Sequence, residues 1–283
     1  MNIGLLHTII REDEKKIIAA CEKQNITLTR IDVRKHAFYL TEKLDPIIQD
    51  CDIILDRSVS LSKGLIAAYI LEGYGKKVIN SASLVELCGD KTKTSLLLAR
   101  NNIPTLKTVI ALSEESALEA IEQLGYPVVL KPPVGSWGRL LAKINDRDSA
   151  EAILEHKSTL GSYQHEIFYI QEYVKKPGRD IRVVVVGKEP IAAMYRSSEH
   201  WITNAARGGE PTLCKITTEI RSIIDKVITT FGEGLMGIDL FETEEGLKVV
   251  EVNAGMEFKA LSQVAEIDIA DTIIDYLKQN LTY

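Results

Sequence analysis

The chain has 283 residues, 45% hydrophobic and 26% charged with 8 Pro and 18 Gly, which excludes a disordered, collagen-like or fibrous protein. Thirty-four Lys and Arg against forty Asp and Glu leave a net charge of −6, which argues against the neutralisation of nucleic-acid phosphates as its main task. No apolar run approaches the roughly 20 residues that span a bilayer, and the first residues, MNIGLL, lack the basic region and cleavage site of a signal peptide. A cytoplasmic protein with no nucleic-acid or membrane partner is expected. Cys21, Cys51, Cys88 and Cys214 form no C-x-x-C pair and the five histidines are isolated, so reduced, buried thiols are expected rather than disulfides or a zinc site.

The first 80 residues alternate short apolar runs (3–6, 26–31, 53–55, 77–79) with helical patterns from about Glu12 and through 66–71, the signature of a parallel sheet flanked by helices. No Gly-x-Gly-x-x-Gly follows the first strand, so a Rossmann-type dinucleotide site is not expected. Ser83 and Glu86 are spaced as a capping box, and Asp90 opens a helix that Asn101, Asn102 and Pro104 stop. From Lys107 the pattern becomes strand, helix (114–124, ended by Gly125), strand (127–131), Gly-containing loop, strand, and a helix capped by Asp148 with Glu151. From Phe168 onward the chain is again strand-rich: 182–186, 191–196, a helix over 217–231, two strands around Gly246, and a closing helix over 269–281. The division expected is residues 1–88, 89–170 and 171–283.

The most informative segment is 237–253, read as two antiparallel strands joined by a three-residue loop, Glu244-Glu245-Gly246, that sets Thr243 opposite Leu247. Counting back places Asp239 opposite Glu251, with Ile238, Leu240, Val250 and Val252 on one face and Asp239, Glu251 and Asn253 on the other. Two opposed carboxylates destabilise a strand pair unless a cation lies between them. Two carboxylates and an amide oxygen are hard ligands suited to Mg²⁺, whereas Glu242, Glu244 and Glu245 read as a solvated acidic edge.

A metal that holds phosphates needs cations and backbone donors beside it. Lys91 sits at a helix start, where a cation opposes the helix dipole and hints at an anion to meet. Lys131 ends a strand and precedes a loop in which Gly135 and Gly138 permit amides to close over an anion, with Ser136 and Arg139 as further donors. Each signal alone is weak; joined to the acidic hairpin they point to a nucleoside triphosphate site.

These residues carry a resemblance. The sequence resembles the ATP-grasp carboxylate-amine ligases, in particular the RimK-like group and its LysX and ArgX branch, which attach aminoadipate or glutamate to the carrier protein LysW. The resemblance covers essentially the whole chain, most specifically CGDKTKTS (88–95), GSWGRLL (135–141), QEYV (171–174), GRDIR (178–182), TNAARGG (203–209) and EVNAGMEFK (251–259). It implies an N-terminal parallel-sheet domain (pre-ATP-grasp, α/β) followed by a small central and a C-terminal α+β subdomain with ATP between them. It implies Lys91 and Lys131 as ATP lysines and a loop over the phosphates made of Gly135, Ser136, Trp137, Gly138, Arg139, Leu140 and Leu141. Trp137 favours the carrier-protein branch. It further implies Gln171, Glu172, Tyr173 and Val174 as the adenine hinge, Asp180 near the ribose, and Arg182 and Asn204 toward the phosphates. Asp239, Glu251 and Asn253 would hold Mg²⁺, as two ions.

In such a site a carboxylate attacks the γ-phosphate to give an acyl phosphate, which an amine then converts to an amide. Arg196 is the candidate for gripping the acyl-phosphate region, with a surface strand residue as the alternative. Gly255, Met256, Glu257, Phe258 and Lys259 resemble the segment facing the amino acid, Lys259 matching a distal carboxylate. Aminoadipate and glutamate differ by one methylene, worth only about 1–3 kcal/mol, so both are carried forward. The carrier of this branch is acidic, so Lys175, Lys176, Arg179 and Arg207 are a candidate docking patch, with a solvated loop as the default for Lys175 and Lys176. Relatives imply a dimer or tetramer. The alternatives are a RimK-like glutamate ligase with another acceptor and a non-catalytic ATP-binding module.

Overall fold

A computed structural model describes residues 1–135, 140–160, 166–201, 203 and 210–281. The first part runs β1 (Asn2–His7), α1 (Glu12–Lys23), β2 (Thr27–Asp32), α2 (Pro46–Gln49), β3 (Ile53–Asp56), α3 (Leu61–Gly73) and β4 (Val78–Ile79). Its strands form a parallel sheet in the order β2-β1-β3-β4, as the alternating pattern predicts. β1 and β3 are buried along nearly their whole length, which is why they read as continuous apolar runs.

Helix α4 (Ala82–Gly89) is capped by Ser81, whose Oγ accepts from the Leu84 amide at 3.3 Å, two residues before the expected capping box. Glu86 instead accepts from Lys93 at 2.7 Å. Helix α5 (Lys91–Arg100) begins as expected at Asp90, whose Oδ1 takes the Thr92 and Lys93 amides. A second sheet follows from β5 (Thr108–Ala111), β6 (Val128–Lys131), β7 (Ala142–Ile144) and β8 (Phe168–Glu172), antiparallel in the order β5-β8-β6-β7. It carries α6 (Glu114–Leu124) and α7 (Arg147–Leu160). Asp146, not Asp148, receives an amide at the start of α7, from Ser149 at 2.8 Å.

The third sheet is antiparallel, in the order β11-β10-β9-β12-β13, from β9 (Arg179–Gly187), β10 (Glu189–Ser197), β11 (Glu210–Cys214), β12 (Gly234–Thr243) and β13 (Gly246–Asn253). Helix α8 (Thr218–Phe231) packs on one face and α9 (Ile269–Gln279) on the other, through separate apolar clusters. The β12–β13 hairpin differs instructively from expectation. Thr243 pairs with Gly246, so the loop is Glu244-Glu245 and one residue shorter than predicted. A bulge between Asp239 and Leu240 then shifts the register back, and Asp239 does face Glu251. The bulge also makes Val249, rather than Val250, the wholly buried partner of Leu240.

The parallel sheet and the third sheet share one core. Ile3, Leu5 and Ile17 join Val184, Met194, Phe258 and Ile273 in a single buried cluster, whereas the β5–β8 sheet has a core of its own. Two buried polar residues fix the shared joint. Arg57, at the end of β3, donates to Glu14 (3.0 Å), Asp13 (3.3 Å) and the Met256 carbonyl (2.7 Å). Asn80 accepts from the Leu235 amide (2.6 Å) and donates to the Leu235 and Ala254 carbonyls (2.8 and 2.5 Å). Arg57→Ala leaves the buried Asp13 carboxylate without its cation and Glu14 with Arg11 alone, and a loss of about 3–5 kcal/mol in urea unfolding is expected.

Candidate active site

Two cavities meet between the sheets. The first, about 730 Å³ of space counted with its open mouth, lies between the β5–β8 and β9–β13 sheets. Leu106, Val129, Phe241 and Val250 give it apolar walls, and Gln171, Glu172, Tyr173 and Val174 form one edge. The second, about 2090 Å³, opens toward the parallel sheet and is bounded by Asp56, Arg57, Arg182, Asn253, Glu257 and Lys259 among others. Lys91, Arg196, Asp239 and Glu251 line both, so the junction of the two spaces carries two cations and two carboxylates.

Each junction residue is held by its element. Lys91 is the first residue of α5; its amide donates to Pro133 O (2.8 Å) and its ammonium to Gly135 O (2.5 Å), 3.3 Å from Glu251. Gly135 has φ +72°, a conformation that favours glycine. Both Asp239 oxygens are engaged by guanidiniums: Oδ1 by Arg182 Nε and by Arg196 Nη2 (2.9 Å), Oδ2 by Arg182 Nη2 (2.9 Å). Burial opposes ionisation of Asp239, but Arg182 and Arg196 outweigh it and hold the carboxyl below its ordinary value. Lys91 and the two arginines therefore set positive charge against the Asp239–Glu251 pair from within the chain itself. Arg196 is buried at this junction rather than on the surface.

The donor set suits a magnesium–triphosphate group. Asp239, Glu251 and Asn253 offer hard oxygens, and Asn253 turns its Nδ2 to Gly237 O (3.4 Å), leaving Oδ1 as the possible ligand. Among the described residues no cluster of three or more His, Cys, Asp or Glu is placed to hold a metal, so phosphate oxygens would have to complete any coordination here. Lys131 donates to Gln171 Oε1 at 2.6 Å, and no carboxylate among the described residues lies within ion-pair distance of it. Burial pushes its ammonium down to about 8, with Glu251 pulling the other way. A buried cation short of an anion is what a phosphate would satisfy.

Other expectations meet a more occupied geometry. Glu172 Oε1 accepts from the Lys107 amide (2.9 Å) and lies 3.5 Å from Lys248 Nζ. Asp180 takes Arg196 Nε (2.6 Å) and the Thr203 hydroxyl and lies 3.9 Å from Lys176, so its carboxylate is bound within the protein. Met256 and Phe258 bury their side chains in the shared core, leaving Gly255, Glu257 and Lys259 to line the second cavity. Of the loop expected over 135–141, Leu140 is exposed and Leu141 lines the first cavity. Ser136, Trp137, Gly138, Arg139, Asn204 and Arg207 lie outside the described residues.

The basic segment is corrected most. Lys176 is not a solvated residue: its ammonium lies inside the first cavity, 2.6 Å from Thr203 Oγ1 and 4.3 Å from the Phe241 ring centroid, and burial pushes it down to about 8. Arg179 is tied to Glu242 (2.7 and 2.9 Å) and stacks over Tyr195, so only Lys175 remains an exposed basic side chain of the described patch. The sequence signal for Lys176 is its place just before GRDIR (178–182), not strand alternation, which the bend at Pro177-Gly178 (Gly178 φ +68°) interrupts. Trp201, on the first cavity 6.3 Å from the Tyr173 ring, had no such signal.

A nucleotide-sized cleft between two antiparallel sheets, with lysines on one side and a carboxylate hairpin on the other, defines an ATP-grasp protein. The RimK-like ATP-grasp domain model matches residues 88–277 and the LysX preATP-grasp domain model residues 3–87. The chain belongs to the RimK-like ATP-grasp family. It is 33% identical to the glutamate–LysW ligase ArgX of Sulfolobus acidocaldarius, covering 99% of each chain. It is 37% identical to the alpha-aminoadipate–LysW ligase LysX of Saccharolobus solfataricus, over 94% of this chain and 96% of that one. The crystal structure of a RimK domain ATP-grasp protein from Sphaerobacter thermophilus superposes with a TM-score of 0.82 at 26% identity, covering 98% and 99% of the two chains.

Lys131 and Lys176 fix the sign of a pH effect. Both titrate near 8 in the free protein, and a phosphate beside them raises that value, so binding takes up protons above pH 8. Affinity for a non-hydrolysable ATP analogue, measured by calorimetry, is expected to change little between about pH 7 and 8, where the lysines are protonated and the terminal phosphate is ionised. Above that range, affinity falls by about tenfold per pH unit for each lysine that contacts phosphate.

Proposed function

We propose that this chain is an ATP-dependent ligase that joins the α-amino group of an acidic amino acid, 2-aminoadipate or glutamate, to the side chain of the C-terminal glutamate of a LysW-type carrier. The observation that carries this reading is the junction of a nucleotide-sized cavity with a larger one at Lys91, Arg196, Asp239 and Glu251. Full-length relatives of both amino-acid specificities, at similar identity, support the substrate pair.

In this reading Lys91, Lys131 and Lys176 bind the phosphates from the side of the first cavity. Arg182 and Arg196 neutralise the approach of the carrier carboxylate, which as an anion is otherwise repelled by the γ-phosphate. The carboxylate oxygen bonds to the γ-phosphorus as ADP leaves; the amine then attacks the acyl carbon and phosphate departs. Asp239, Glu251 and Asn253 are the proposed ligands of two Mg²⁺ ions, which when bound neutralise charge on the transferring phosphoryl group. Lys259 is the proposed partner of the distal carboxylate of the amino acid. The reading carries with it the division at 88/89 and 170/171, a cytoplasmic location, and assembly as a dimer or tetramer.

The test is release of ADP and phosphate with a LysW-type carrier and a panel of acidic amino acids; turnover that needs neither carrier nor amino acid would overturn the reading. Glu251→Gln is expected to lower kcat/KM for ATP at least about a hundredfold, measured by coupled ADP release. For Lys259→Ala, KM for the amino acid is expected to rise by about tenfold or more while KM for ATP stays within about twofold.

A further inference from the structure

Charge pairing in the second cavity leaves two groups over. Of the carboxylates that line it, Asp239 is taken by Arg182 and Arg196, Glu251 by Lys91, and Glu257 by Arg11 at 2.5 Å. Asp56 alone among these has no cation within ion-pair distance among the described residues; its Oδ1 accepts only the Ser58 amide, at 2.8 Å. Of the lining cations, Lys259 alone makes no ion pair with the described residues, while Arg57 is consumed by Asp13 and Glu14. One unpaired carboxylate and one unpaired ammonium thus face the same space. That space is complementary to a ligand carrying both an ammonium and a carboxylate.

Asp56 is held for such a task. It ends β3, and its neighbour Arg57 is locked into the joint between the sheets, which fixes the backbone from which Asp56 projects. Its Oδ2 lies against Gly64 of α3, where a Cβ would come within 2.6 Å of it. Burial pushes its carboxyl up, with the Ser58 amide opposing, so Asp56 is a better proton acceptor than an exposed aspartate. The Ser58 hydroxyl stands beside it on the same cavity wall.

We propose that Asp56 binds the α-ammonium of the incoming amino acid and accepts its proton as the amine attacks the acyl phosphate. This deepens the ligase reading and rests on it. The ammonium gives one proton to the Asp56 carboxylate, and the freed lone pair forms the C–N bond. The acyl C–O bond to phosphorus breaks with its electron pair on phosphate, which carries off the second amine proton, leaving one hydrogen on the amide nitrogen. Charge is conserved, the carboxylate and ammonium becoming neutral as the dianionic acyl phosphate becomes hydrogen phosphate.

Hydroxylamine separates this inference from the reading beneath it, because it attacks an acyl phosphate as a neutral nucleophile. Wild-type protein given ATP, Mg²⁺ and a LysW-type carrier is expected to yield carrier hydroxamate; its absence would sink the ligase reading itself. For Asp56→Asn, the ratio of amide formed with glutamate or aminoadipate to hydroxamate formed with hydroxylamine is expected to fall roughly a hundredfold or more. An unchanged ratio, whether both products persist or both decline together, overturns the role of Asp56. Gly64→Ala, whose methyl displaces the Asp56 carboxylate without touching its charge, is expected to lower the same ratio. Full amide formation in that variant counts against the geometry.

Discussion

Two carboxylates, Asp239 and Glu251, stand directly opposite each other on adjacent strands, and the site is organised around their mutual repulsion. Left alone the pair would splay the hairpin. The fold answers with cations drawn from three places: Lys91 from the start of α5, Arg182 from β9 and Arg196 from β10. Each cation arrives with an attachment of its own. Lys91 brings the loop before Gly135, and Arg196 brings Asp180 and through it Thr203 and Lys176. The start of α5 with Gly135, the β12–β13 hairpin and the wall of the first cavity are therefore one charge network.

The sequence revealed this centre through alternation and spacing. Period-two patterning put Asp239, Glu251 and Asn253 on one face, and turn chemistry supplied the pairing, although the two steps erred in opposite directions. A loop one residue shorter than the spacing predicts and a bulge at Val250 cancel, which leaves the two acids opposed. The lesson is physical: a bulge has no side-chain signature, yet here it sends Val249 into the core and leaves Val250 on the nucleotide cavity.

What alternation could not reach were contacts distant in the chain. Nothing in the sequence marks Arg57, around which Asp13, Glu14 and the Met256 carbonyl close. Lys176 reads as part of a solvated basic turn until Phe241 and Thr203 enclose it. Met256 and Phe258 look like a substrate segment by motif, but their side chains complete the core while their neighbours face the cavity. Burial of a polar group is decided by partners from other elements, and local sequence carries little record of that.

The distribution of apolar clusters has a consequence for how such a molecule can change over evolutionary time. The parallel sheet is fused to the β9–β13 sheet through one continuous interior, whereas the β5–β8 sheet keeps an interior to itself. The interior of the lobe that contributes Lys131 can thus be remodelled without recutting the shared core, and its ties to the rest include polar contacts at Lys91, Ser95 and Lys248. A new acceptor specificity cannot arrive by simple exchange of the first 80 residues: Ile17, Leu5 and Arg57 would have to find matching surfaces on Phe258, Ile273 and Met256. Diversification of the acceptor side is expected to proceed by piecemeal substitution along the cavity wall, with the joint inherited intact.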